Sequence, residues 1–143
     1  MSARDDVLKV IREQESAIAR ADARAANAVF ADDVMVFDLP PPLEYRGEDV
    51  IDPTGLEDWF ATWKDGVTVE LHEPTVLVEG DLAVVFGLSR MRGVKKVQGP
   101  LDSWNRRTVV LRQMDGRWMI VHTHDSYPMK MDGSGKVATD LTP

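Results

Sequence analysis

Residues 103–128 read SWNRRTVVLRQMDGRWMIVHTHDSYP, two alternating runs joined by Met114-Asp115-Gly116-Arg117. Asp-Gly between β-rich runs marks a tight hairpin, because the turn needs positive φ and glycine adopts it without steric cost. Alternation then sorts side chains by face. It predicts Trp104, Arg106, Thr108 and Val110 on one face of the first strand. On the second strand it groups Met119, Val121, Thr123 and Asp125 against Trp118, Ile120, His122 and His124. Strands that project Trp, Arg, Thr, His and Asp suit a wholly apolar core poorly. The hairpin reads as the wall of a partly polar pocket.

Ahead of it, the pattern is first helical and then extended. Ser2 followed by Asp5 forms a capping signature, and Val7, Leu8, Ile11 and Ile18 recur near helical spacing, predicting an amphipathic helix over 3–21. Asp22 is an N-cap for an Ala-rich second helix over 23–30. A short strand, 34–37, runs into Leu39-Pro40-Pro41-Pro42, which must leave regular structure. A short extended piece at 43–45 is closed by Gly47, and a third helix spans 54–63 with Leu56, Trp59, Phe60 and Trp63 on one face. From Val67 onward the chain reads as long strands at 67–78, 82–92, 104–114 and 118–126, with a turn at Gly80-Asp81. Residues 93–100 read as a polar loop with Lys95 and Lys96 in solvent. Helices followed by an antiparallel meander predict an α+β fold: three N-terminal helices on one face of a strongly curved, mostly antiparallel sheet, forming a cone open at one end. Residues 1–128 are expected to form one domain, followed by a tail at 129–143 poor in large apolar side chains.

The 143 residues carry a formal net charge of -7. Phosphate binding and docking on anionic lipid both need a basic surface, so neither nucleic acid nor membrane is an expected partner. With no Cys, disulfides and thiolate chemistry are excluded. Met1 to Arg12 lacks an apolar signal core, and no apolar run approaches the roughly 20 residues that span a bilayer, so a cytoplasmic location is expected.

The order of these residues resembles the nuclear transport factor 2-like superfamily, and within it the SnoaL-like and ketosteroid isomerase-like proteins. The resemblance runs from about Val7 to Pro128. It rests on the Asp22 helix start, Phe30-Ala31-Asp32-Asp33, Tyr45-Arg46-Gly47 ahead of a helix, and the hairpin turning at Asp115-Gly116-Arg117-Trp118. It implies a cone-shaped α+β barrel, but not a single activity, since this fold hosts isomerases, cyclases, hydrolases, dehydratases and binding domains. Ketosteroid isomerases place a catalytic Asp at the end of the first strand before a proline-containing loop, and Asp38 matches that position. Where those enzymes carry an oxyanion-hole Tyr and a protonated Asp, this chain has Gln14 and Thr108.

Asp38 is therefore read as a general base, desolvated by Phe37, or as a strand-end carboxylate that caps the proline loop. Arg106 and Asp125 are read as an enolate clamp and a proton shuttle, or as an ion pair that fixes the pocket. Thr123, Phe86, Trp59, Trp63 and Trp104 are expected to line the pocket, the Trp side chains competing for core positions. His122 and His124 lack a third ligand at metal spacing, so no metal is expected and the pair is assigned to structure or a dimer interface, an assignment that one β-bulge would reverse. Three functions remain open. One is a cofactor-independent isomerase or cyclase acting on a small cyclic or aromatic carbonyl ligand. The second is a non-catalytic domain holding a small acid against Arg106. The third is a degenerate pocket whose fold serves dimerisation. A homodimer is expected through the outer sheet face, on which the alternation places Trp118, Ile120 and Val109.

Overall fold

The computed structural model describes residues 2–143, and among them are four helices and six strands. Helix α1 (Ala3–Ala19) begins with the capping box expected from Ser2: Ser2 Oγ accepts from the Asp5 N–H at 3.1 Å, and Asp5 Oδ2 accepts from the Ser2 N–H at 3.4 Å. Its buried side is Val7, Ile11, Gln14 and Ala17, an apolar stripe broken by one amide. Helix α2 (Ala23–Asn27) is capped by Asp22, whose carboxylate accepts from the Ala25 N–H at 3.0 Å. Strand β1 (Phe30–Phe37) starts earlier than its apolar run suggests, and β2 is Tyr45–Arg46. A short helix not expected from sequence, α3 (Glu48–Ile51), precedes α4 (Pro53–Phe60).

The remaining strands are β3 (Trp63–Glu79), β4 (Leu82–Lys95), β5 (Gly99–Met114) and β6 (Arg117–Ser126). They form one sheet in the order β2-β1-β6-β5-β4-β3, antiparallel except where β1 lies parallel to β6. Strand β3 bends at two irregularities, near Asp65-Gly66 and near Glu73, where φ is positive. Bulges of this kind increase local twist and let a long strand wrap. Helix α1 docks at the second bend: Glu15 accepts from the Leu71 N–H at 2.7 Å and Arg12 donates to the Leu71 carbonyl at 2.9 Å. At the first bend Trp63 packs against Gly93, where an added Cβ would lie 2.8 Å from the indole.

The long strands also correct the loop expected at 93–100. Strand β4 runs through Lys95, and β5 resumes at Gly99. Lys95 is not solvated as expected: its ammonium lies 4.2 Å from the Trp63 ring centroid, donates to Thr62 Oγ1 at 2.7 Å, and has its pKa lowered by burial. The segment after β6, expected as a tail, folds back. Met129 bridges Val137, the Ala138 N–H donates to the Pro128 carbonyl at 2.8 Å, and Ala138 is buried.

The hairpin forms at Asp115-Gly116, both at positive φ (50° and 79°). Its faces, however, are opposite to the expected ones on β5. Ser103, Asn105, Val109 and Leu111 are buried toward the helices, with Arg107 on the same face, while Trp104, Arg106, Thr108 and Val110 lie on the outer face. The turn sets Leu111 opposite Ile120 and Gln113 opposite Trp118. Turning this face inward buries Val109, Leu111, Trp118 and Ile120 together, whereas the other face would have buried Arg106 and Arg112.

A bulge between Val110 and Leu111 of β5, opened by Val121 of β6, then reverses the parity of β6. Thr123 and Asp125 consequently point inward as expected. Trp118 and Ile120 also point inward, contrary to expectation. The core joins these residues to Val7, Ile11, Val34, Val36, Leu71, Ala83 and Val85.

Candidate functional site

At the open end of the concave face the core becomes polar. Arg107 and Asp125 are paired across β5 and β6, with Nη1 2.8 Å from Oδ2 and side chains 21% and 10% exposed. Gln14, buried on α1, accepts from Arg107 Nη2 at 3.3 Å and donates from Nε2 to the Ala26 carbonyl at 3.3 Å. Asn105 donates to Asp125 Oδ1 at 3.3 Å. Nearby, the hydroxyls of Ser103 on β5 and Tyr127, just after β6, are 2.8 Å apart. Each of these side chains thus has a partner, which is what makes the network tolerable at low solvent exposure, whereas the buried indole nitrogens of Trp63 and Trp118 in the core have none.

Asp38 stands beside this network, immediately after β1. Its Oδ1 accepts from the Leu39 N–H at 2.7 Å. The side chain reaches solvent, yet it is recessed among protein atoms, and this partial burial raises its pKa above the ordinary carboxylate value. The Leu39 hydrogen bond and Arg107 oppose the rise, and the negative charge of Asp125 adds to it. Asp38, Arg107 and Asp125 therefore interact electrostatically at one mouth, although they come from three strand ends or strands.

Of the residues expected at the site, Asp38, Gln14, Asp125 and Thr123 lie on the concave side or at its mouth. Trp63 is buried further along the concave face, with the Trp59 ring edge-on at 5.6 Å. The other five expected residues lie on the outer face. Arg106 is exposed and donates to Ser126 Oγ at 3.2 Å, so the expected Arg106–Asp125 pair does not form. Thr108 lies opposite Phe86 in the register, and Phe86 is 39% exposed. Trp104 stacks edge-on with His72 at 5.7 Å and carries Arg90 over its ring at 5.4 Å. Phe37 packs edge-on against His122 and His124 at 4.8 and 5.3 Å. His122 Nδ1 is 2.8 Å from the Met35 carbonyl, which ties that ring to β1.

Arg107, Asn105, Ser103 and Tyr127 belong to this polar cluster although the sequence pattern did not single them out. The signal was the odd-numbered run Asn105, Arg107, Val109 and Leu111, whose two apolar members sit beside the turn. Gln14 also changes character. With one amide N–H on Ala26 and its oxygen on Arg107, it holds the guanidinium in place. Two surface clefts lie elsewhere, one of ≈ 330 Å³ between Arg24, Asn27 and Glu48, the other of ≈ 410 Å³ between Pro42, Tyr45 and Asp49. No group of three or more His, Cys, Asp or Glu side chains among the described residues could hold a metal ion. No helix among them is long and apolar enough to cross a membrane.

A curved sheet closed over N-terminal helices, with a polar mouth, defines an α+β cone protein of the NTF2-like kind. The family described as SnoaL-like domain matches residues 7–130, and the chain belongs to it. An NTF2-like protein of unknown function from Pseudomonas putida KT2440 superposes with a TM-score of 0.85 at 27% identity, over 99% of this chain and 96% of that one. An NTF2-like superfamily protein from Salmonella enterica serovar Typhimurium has a TM-score of 0.75 at 22% identity, covering 93% and 96%. The CaMKII hub of S. rosetta shares the fold with a TM-score of 0.72 at 24% identity, covering 88% and 97%. A search of curated proteins finds no match.

Proposed function

We propose that the protein is a cofactor-independent isomerase or cyclase that acts at the cone mouth on a small cyclic or aromatic carbonyl compound, with Asp38 as general base. The observation that carries this reading is Asp38 itself, a solvent-reachable carboxylate with a raised pKa beside a fixed guanidinium. A raised pKa makes a carboxylate a better proton acceptor near neutral pH. Asp38 removes a proton alpha to the carbonyl, and negative charge moves to the carbonyl oxygen. Arg107 stabilises that oxygen. Two of its five N–H donors are used by Asp125 and Gln14, which leaves others for substrate. The proton then returns from Asp38 to a different carbon, giving an isomer, or the enolate carbon attacks a second carbonyl and closes a ring, and the alkoxide so formed takes the proton from Asp38. The proton that leaves is the one returned, so no electron acceptor is required.

Asp125 and Gln14 act here as positioning residues, because their oxygens hold the two ends of the guanidinium. Thr108, on the outer face, takes no part. Deuterium exchange tests the reading. A panel of cyclic ketones is incubated in D₂O with wild type and with Asp38→Asn, and uptake is followed by NMR. Uptake with the wild type only supports it. Background uptake with both removes the general base.

A second reading, self-association, is favoured by the outer face. Val84 with Val110, Phe86 with Thr108 and Leu88 with Arg106 are cross-strand pairs there, and Phe86 and Leu88 are 39% and 38% exposed. A homodimer that covers this strip replaces the one expected through Trp118, Ile120 and Val109, which are core residues. The likeness to a hub domain supports it. Sedimentation at micromolar protein should give twice the 16.0 kDa chain mass, and a monomer alone would refute it.

A further inference from the structure

The cone mouth holds two carboxylates and one guanidinium, and the guanidinium is already matched. Arg107 is paired with Asp125 at 2.8 Å and held by Gln14 at 3.3 Å, while Asn105 secures Asp125 from its other oxygen. Asp38 adds a second negative charge, and the hydrogen bond it accepts comes from a neutral backbone N–H. We propose that this site selects uncharged carbonyl compounds and rejects carboxylates, so that small organic acids are excluded from it. The inference rests on the reading of the mouth as the ligand site and names its substrate class.

A carboxylate that approached Arg107 would have to displace Asp125, which is fixed by two donors and by strand register. It would also meet Asp38. Like charges in a recessed, partly desolvated mouth are screened less than on open surface. An uncharged carbonyl oxygen avoids both costs. It needs only a guanidinium N–H that Asp125 and Gln14 leave free. The charge count agrees with the proposed chemistry. When Asp38 takes the proton, its own charge is lost as the enolate charge appears, so the total at the mouth is unchanged. An acid substrate would place a further negative charge beside that enolate.

The test uses two ring probes of similar size, cyclohexanone and cyclohexanecarboxylate, titrated into the full chain near neutral pH and followed by amide NMR. The wild type should bind the carboxylate roughly tenfold or more weakly than the ketone. Asp125→Asn keeps one acceptor oxygen for Arg107 but removes the charge, and should raise carboxylate affinity roughly tenfold. Asp38→Asn should raise it as well, by less. Since Asp38 is exposed, this variant is expected to fold and decides the matter if Asp125→Asn does not. A carboxylate bound by the wild type as tightly as the ketone would overturn the inference, as would no gain in either variant. Failure of deuterium exchange with every ketone would overturn the general-base reading alone, because charge preference is read from binding.

Discussion

Replacing Arg107 and Arg106 one at a time separates the two faces of β5 by their stability cost. Arg107→Ala leaves Asp125, 10% exposed, without its cation. Breaking a fully buried pair by removing one partner costs about 3–5 kcal/mol. Here Arg107 is 21% exposed and Asp125 keeps the Asn105 hydrogen bond, so ~2–3 kcal/mol is expected. For a chain of this length that corresponds to a melting-temperature loss of about 5–12 °C. Arg106→Ala removes an exposed side chain bonded to Ser126 and should cost less than ~0.5 kcal/mol. Thermal and urea unfolding of both variants, with Asp125→Ala and the Arg107→Ala/Asp125→Ala double mutant completing a cycle, gives the coupling directly. A coupling of ~1–3 kcal/mol between Arg107 and Asp125 is expected. Equal costs at the two arginines, or a coupling under ~0.3 kcal/mol, would refute the assignment of Arg107 to the concave face.

Other outcomes follow from the same geometry. Because the pKa of Asp38 is raised in the folded state, the fold binds its proton more tightly than the unfolded chain does, and Asp38 costs stability once pH rises above the ordinary carboxylate value of 3.8. Asp38→Asn should therefore raise the melting temperature at neutral pH while abolishing deuterium exchange, with the stability gain vanishing as pH falls toward that value; a loss of stability at neutral pH would contradict the sign. Gln14→Leu removes the oxygen that holds Arg107 Nη2 and should slow exchange by about 10-fold or more while leaving the chain folded by circular dichroism; unchanged exchange would show that Gln14 does not position Arg107. Phe86→Glu should shift sedimentation to a single-chain mass without lowering the melting temperature of the monomer, because the side chain is outside the core. Deletion of Val121 removes the unpaired residue and joins the Leu111–Ile120 and Val110–His122 pairs into one unbroken ladder, so Thr123 and Asp125 stay inward and the variant should remain soluble and folded by circular dichroism; an unfolded variant would contradict this register.

Much of the architecture was legible from local pattern. The Ser2 capping box, the Asp22 cap, the proline stop after Asp38 and the Asp115-Gly116 turn each depend on chemistry within a few residues, so they can be read without knowing what packs against them. The helix-then-meander order and the family resemblance follow from the same elements. The family resemblance singled out Asp38 and Gln14, and the alternation along the hairpin singled out Asp125; the fold places the three near one mouth. The facing of β5 was not legible in this way. Both of its faces carry apolar and charged residues, and alternation states only which side chains share a face. The choice was made by burial summed across strands, with Leu111 opposite Ile120 and Val109 opposite Thr123. The bulge at Val121 has no glycine or proline to announce it; it arises because β6 must bury Trp118 and Ile120 near the turn and Thr123 and Asp125 beyond it. Local chemistry thus determined the elements and their order, while the packing of sheet on helix alone decided that Arg107, and not Arg106, meets Asp125.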